Sequence, residues 1–192
     1  MPIPPDAVLD FWFAGVTAAD HSAGFKRWFT KDPAADAEIG ARFGAAVEAA
    51  LAGELDAWAD APRSALALLI LLDQFTRNLF RGQAEAFAGD PKARAVAEQL
   101  VAAGDDQALA PIERVFVYLP FEHSEAPADQ ARSIALFQAL ADAQEGSSFQ
   151  AFLDYAHKHK DVIDAFGRYP HRNAALGRES TPAEQAWLEA WG

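Results

Sequence analysis

The stretch Phe166-Gly-Arg-Tyr-Pro-His-Arg-Asn-Ala-Ala-Leu-Gly-Arg178 carries three arginines, a histidine and an asparagine without one acidic residue, in a chain of formal net charge -12. Guanidinium groups present a planar fork of donors that matches carboxylate or phosphate. So many multi-donor side chains in one short segment point either to an anion or to a buried polar network. The segment falls where a helix must stop, because Gly167 is a natural terminator and Pro170 prevents resumption. Arg168, His171, Arg172 and Asn173 are therefore expected to form a donor-rich wall beside the helix end. The alternative is that they tie the loop down by bonding exposed helix-end carbonyls.

Two other groups of residues have the same character. Asp73, Arg77 and Arg81 follow at four-residue spacing, with Gln74 and Asn78 beside them, and form one ridge of a helix. Seen alone, Asp73 and Arg77 read as an intrahelical ion pair, with Arg81 favoured by the helix C-terminal dipole. If the ridge is buried, the aspartate instead holds an arginine that offers donors to a ligand, since a buried charge requires partners. His159 lies on a stripe with Phe149, Phe152, Ala156, Ile163 and Phe166 and is expected to point inward, whereas His157 faces outward with Lys160, Asp161 and Asp164. A histidine on such a stripe is more often a hydrogen-bonded core residue than a ligand.

Glu122 and His123, in Phe121-Glu-His-Ser-Glu125, lie between two predicted helices and form a candidate acid–base pair, with Ser124 a candidate cap for the next helix. Glu-His-x-Glu lacks the helical spacing of familiar metal sites, so no metal is assigned. With His159 and His171 added, a carboxylate–histidine site is still chemically open. There is no phosphate loop, nucleophile elbow or dinucleotide fingerprint. The residues name no cofactor.

These side chains need a scaffold, and the scaffold reads as helical throughout. Apolar residues make up 51% and aromatic residues 11% of the 192 positions, which excludes disorder. There is no cysteine, so neither disulfides nor thiolate metal sites are expected. The opening residues do not resemble a signal peptide, and the longest apolar run, Ala65 to Leu72, is too short for a bilayer. A soluble cytoplasmic protein is expected. The balance of 16 basic against 28 acidic residues disfavours nucleic acid and anionic membrane as partners.

Helices are expected near 5–13, 20–30, 33–52, 63–80, 90–103, 111–120, 126–144, 147–166 and 181–190. Asp32-Pro33 and Asp90-Pro91 read as N-caps followed by a first-turn proline, and Thr181-Pro-Ala-Glu184 as a capping box. The helix at 63–80 is apolar nearly all round and belongs at the centre, with Gly82 just past its end. Short connections fit antiparallel stacking of eight or nine helices in a single domain over 1–192. The N-terminal Phe11, Trp12 and Phe13 read as ordinary core.

Several of these segments resemble a known family. Leu72-Asp-Gln-Phe-Thr-Arg-Asn-Leu-Phe-Arg-Gly82, with Ala86-Phe87 and Asp90 after it, is similar to the signature of the bacterial family called domain of unknown function 924. Phe121-Glu-His-Ser-Glu125, the run from His159 to Asn173, Leu176 to Glu184, Val8 to Phe13 and Arg27-Trp-Phe29 are similar to its other signatures. Tyr169 stands where Phe is more usual. The resemblance implies an all-helical, tetratricopeptide-like array and no established activity. Its motifs fall on Asp73, Arg77, Asn78, Arg81, Glu122, His123, His159, Arg168, His171, Arg172 and Asn173, the same residues the physical reading selects. His157 lies outside them.

The leading functional expectation is a binding module. Arg77, Arg81, Arg168 and Arg172 would receive a small anionic ligand or an acidic peptide group, His123, His159 and His171 would add donors, and Asp73 and Glu122 would orient the arginines. One alternative is an enzyme, metal-free or metal-dependent and hydrolase-like, that uses Glu122, His123, His159 and His171, with Glu122 or a histidine as general base. Another is a structural polar core, with function residing in a protein-interaction surface.

Overall fold

Among the described residues six α-helices begin on a proline, whose missing N–H and preset φ suit the first turn. The computed structural model describes residues 3–17, 20–144 and 148–191. Among them the regular structure is helical, without a strand: α1 (Pro5–Trp12), α2 (Ser22–Phe29), α3 (Pro33–Ala52), α4 (Pro62–Leu69), α5 (Thr76–Leu79), α6 (Asp90–Ala103), α7 (Pro111–Glu122), α8 (Pro127–Asp142), α9 (Ser148–Phe166) and α10 (Pro182–Trp191), with short 3-10 turns between several of them. The expected helix start at 147 lies outside the described residues. Among those residues no helix is long and apolar enough to cross a membrane.

The chain divides into two compact units, Met1–Arg81 with Glu85–Pro120, and Gly82–Ala84 with Phe121–Gly192. The boundary falls within α7, at Pro120, a proline inside a helix with no N–H to give.

In the first unit the apolar helix expected over 63–80 is continuous in its path but not in its hydrogen bonding. Ile70–Phe75 forms a π-helical segment between α4 and α5. A π turn disturbs the regular ladder and leaves carbonyls that need other donors. Side chains supply them: Thr76 Oγ1 donates to the Leu72 carbonyl at 2.9 Å, and Arg77 Nη1 to the Asp73 carbonyl at 2.6 Å. Residues 65–72 are all buried, as the all-round apolar pattern requires. Around them lie Trp12, Trp28, Phe43, Phe75 and Phe116, with Trp12 edge-on to Phe75 at 5.4 Å and to Phe116 at 5.8 Å. Trp12 is core, whereas Phe11 and Phe13 are only part-buried. The C-terminal carbonyl of α1 on Trp12 accepts from Trp28 Nε1 at 2.9 Å and from Arg27 at 3.2 Å.

Gly89 packs where a side chain does not fit. A Cβ there would collide with the backbone of Leu72 in the π-helical segment, although φ of -83° suits any residue. Gly89→Ala is therefore expected to destabilise the protein by about 2 kcal/mol through overpacking alone. Urea unfolding checks this, and an unchanged midpoint would mean that the two backbones separate freely.

In the second unit α8 and α9 pack along one another. Phe137 and Phe152 stack between them with ring centroids 6.3 Å apart. The stripe on α9 behaves as its spacing predicts, with Phe149, Phe152, Ala156 and Ile163 buried and His157 exposed. Gly167 ends α9 with φ of +69°, and a 3-10 turn over Pro170–Arg172 leads towards α10.

Candidate functional site

The candidate residues fall into two groups, one in each unit. In the first unit Arg77 grips Asp90 with both arms, Nη1 to Oδ1 at 2.9 Å and Nη2 to Oδ2 at 3.1 Å. Asp73, 1% exposed, lies 3.3 Å from Arg77 Nη1 and also accepts from Gln74. Arg81 does not join this pair. It makes a two-armed contact with Asp36 at 2.6 and 2.8 Å, and Asn78 donates to the same carboxylate at 2.7 Å. The hydrogen bonds from Arg81 hold the Asp36 carboxyl below its ordinary range against the opposing effect of burial.

Asp90 thus departs from its expected place as an N-cap. Gly89 takes the N-cap position without a side-chain cap, and the Asp90 carboxylate is directed to Arg77. Asp36, the partner of Arg81, lies 45 residues away and is not visible in local spacing.

In the second unit the donor-rich loop is fastened by carboxylates of its own unit. Arg168 grips Glu184 at 2.6 and 2.9 Å and donates to the Glu179 carbonyl at 2.8 Å. This guanidinium and the Thr181 N–H bring the Glu184 carboxyl down to about 2. The same Thr181–Glu184 pair closes the expected capping box, at 2.7 Å one way and 3.2 Å the other.

Arg178 does most to fasten the loop. Its guanidinium meets both oxygens of Glu125 at 2.8 and 3.0 Å, the Tyr169 carbonyl at 3.0 Å and Asn173 Oδ1 at 2.9 Å. Burial would raise the Glu125 carboxyl, but bonds from Arg178 and the Tyr169 N–H outweigh it and the net shift is down. Arg172 donates to the His123 carbonyl at 2.8 Å and lies over the Tyr169 ring at 4.7 Å. Asn173 donates to Ser180 at 3.0 Å.

Glu122 and His123 do not sit together on a loop, because α7 continues through Pro120 and ends at Glu122. Glu122 is buried, with Oε1 3.0 Å from His159 Nδ1. His159 Nδ1 is also 3.0 Å from the Tyr155 carbonyl one helical turn back. Burial, then the nearby His123, pushes the His159 imidazole down to about 4, so it is neutral at pH 7. Tyr169 packs edge-on to this ring at 5.6 Å and donates its hydroxyl to the Glu122 carbonyl. Burial pushes the Tyr169 phenol up, which keeps it a donor. Gln130 links the assembly by donating to the Glu122 carbonyl at 2.7 Å and to the Tyr169 hydroxyl at 2.8 Å. Ser124 does not cap α8, whose N-cap is Ala126; it accepts from the Ala126 N–H and donates to Asp129 at 2.7 Å.

Beside His159 opens a cavity of about 380 Å³, lined by Tyr155, Lys158, His159, Val162, Tyr169, His171 and Trp187. The Lys158 ammonium lies over the Tyr155 ring at 4.7 Å and forms no ion pair among the described residues. His159 and His171 were selected by sequence; Tyr155, Lys158, Val162 and Trp187 were not. Tyr155 and Val162 stand four and three residues from His159 on α9, and Lys158 stands three and four residues from the same two, a pattern legible in the sequence. Among the described residues no group of three His, Asp or Glu side chains is placed to hold a metal ion.

Comparison with known proteins agrees with this all-helical architecture. A solved structure of a protein of unknown function from Agrobacterium tumefaciens, ATU0120, is 43% identical, with 97% of each chain covered and a TM-score of 0.84. No curated protein matches the chain. Residues 8–192 match the family described as bacterial protein of unknown function, DUF924. With nearly its whole length matched in sequence and fold, the chain belongs to the DUF924 family.

Proposed function

We propose that the second unit is a small-molecule binding module whose site is the cavity beside His159. The observation that carries this reading is the cavity itself, about 380 Å³ in volume and lined by two tyrosines, a tryptophan and a valine together with Lys158 and two histidines. That volume lies within the range of about 300–1,000 Å³ typical of small-ligand sites, which combine apolar walls with a few polar groups. The ligand has an aromatic or apolar body for the walls and one anionic group, which Lys158 receives. The paired arginines Arg77, Arg81 and Arg168 support this division of labour. Each already faces a carboxylate of the chain in two-armed geometry and serves the scaffold.

A thermal-shift and calorimetric titration with 3-phenylpropionate and indole-3-propionate tests the proposal. Both compounds are expected to raise the melting temperature of the wild type by selective binding to the folded state. Lys158→Met is expected to weaken binding about tenfold, since a hydrogen bond to a charged group contributes about 1.5 kcal/mol or more. Lys158 is exposed and outside the ion-pair network, so the variant leaves the fold intact. Silence from the wild type with both compounds removes the proposal.

A further inference from the structure

The hydrogen bonds of His159 decide which of its nitrogens faces a ligand. The Tyr155 carbonyl oxygen can only accept, and it lies 3.0 Å from Nδ1. Nδ1 must therefore carry a proton, and Glu122 Oε1, also at 3.0 Å, accepts from the same N–H. A neutral imidazole has one ring proton, so Nε2 keeps a bare lone pair. Among the described residues Nε2 has no hydrogen-bond partner. Nδ1 is turned to the helix backbone and a buried carboxyl, which leaves Nε2 as the ring nitrogen for a ligand in the cavity that His159 lines.

We infer that His159 offers Nε2 as a hydrogen-bond acceptor in the cavity, so that the ligand is an aromatic carboxylate with a hydroxyl or amino donor on the carbon next to the carboxylate. Lys158 and His159 are consecutive on α9 and both line the cavity, which offers one ligand both the anion receiver and the acceptor. A 2-hydroxy or 2-amino carboxylate matches that juxtaposition, and Tyr155, Tyr169 and Trp187 suit an aromatic side chain. Glu122 and the Tyr155 carbonyl are positioning groups that fix the tautomer without touching the ligand. The inference rests on the cavity being the binding site proposed above.

Two measurements test it. Long-range nitrogen–proton NMR on the wild type at pH 7, with the His159 signals assigned by their loss in His159→Gln, is expected to show a protonated Nδ1 and a bare Nε2. A protonated Nε2 overturns the inference and leaves the binding proposal standing. In parallel, 3-phenyllactate and phenylalanine are titrated against 3-phenylpropionate, which lacks only the donor. At least one donor-bearing compound is expected to bind about tenfold more tightly, because its absence leaves the acceptor unpaired. That preference should vanish in His159→Phe, with His159→Leu as a second variant in case the first does not fold. Equal binding of all three by the wild type overturns the inference alone, whereas no binding by any overturns the binding proposal and this inference with it.

Discussion

Arg77→Ala is expected to lower the unfolding free energy by about 3 kcal/mol or more, the usual result of removing one partner from a buried pair. The large effect comes from what the alanine leaves behind. Asp73 is 1% exposed and would lose the guanidinium that lies 3.3 Å from its carboxylate. Asp90 would lose both arms of its fork, and the Asp73 carbonyl would lose the donor it accepts in the π-helical segment. Arg77→Lys keeps the charge but not the planar fork, and should fall between wild type and alanine. Equilibrium urea unfolding reads all three proteins. An alanine variant with the wild-type midpoint would show that these contacts contribute nothing to the fold.

Stability is also expected to fall with acid because of His159. In the unfolded chain the imidazole takes up its proton at its ordinary value of 6.5, whereas in the folded protein burial delays this until about 4. The unfolded state therefore binds more protons throughout the interval, and stability decreases as pH drops from 6.5 to 4. The loss attributable to His159 is about 3 kcal/mol, since each pH unit crossed in that interval removes about 1.4 kcal/mol. The charged and titratable groups facing it are Glu122, His123 and Arg172, of which His123 and Arg172 both oppose protonation. His21 is also pushed down by burial and is common to wild type and variant. Subtracting the pH profile of His159→Gln from that of the wild type therefore removes the part due to His21 and leaves the part due to His159 and its contacts. Parallel profiles between pH 4 and 6.5 would refute the assignment.

The helical architecture was legible because its signals are local. Asp32 accepts from the Ala34 and Ala35 N–H groups as its place before Pro33 demands, Thr181 and Glu184 close their capping box, and Gly167 terminates α9. The stripe through Phe149, Phe152, Ala156 and Ile163 also held, since period alone decides which face of a helix is buried. What spacing could not supply was the identity of distant partners. Asp36 for Arg81, Glu184 for Arg168 and Glu125 for Arg178 are brought close only by folding, at separations of 45, 16 and 53 residues. Asp90 shows the same limit from the other side, because its local role as a cap lost to a tertiary one with Arg77. The π-helical segment was likewise hidden, since Ile70–Phe75 has the composition of ordinary buried helix.

The loop between α9 and α10 offers trypsin three arginines, Arg168, Arg172 and Arg178, on a backbone with little regular structure. A protease must draw an extended stretch of chain into its cleft with the arginine side chain leading. Here the three side chains face inward to Glu184, to the His123 carbonyl and to Glu125, while Arg178 binds the backbone of Tyr169 and so shuts the loop upon itself. Cleavage must wait for the guanidinium contacts to open. A segment that looks irregular in its dihedral angles is thus expected to resist trypsin as a helix does, because side chains provide the restraint that a regular hydrogen-bond ladder provides elsewhere.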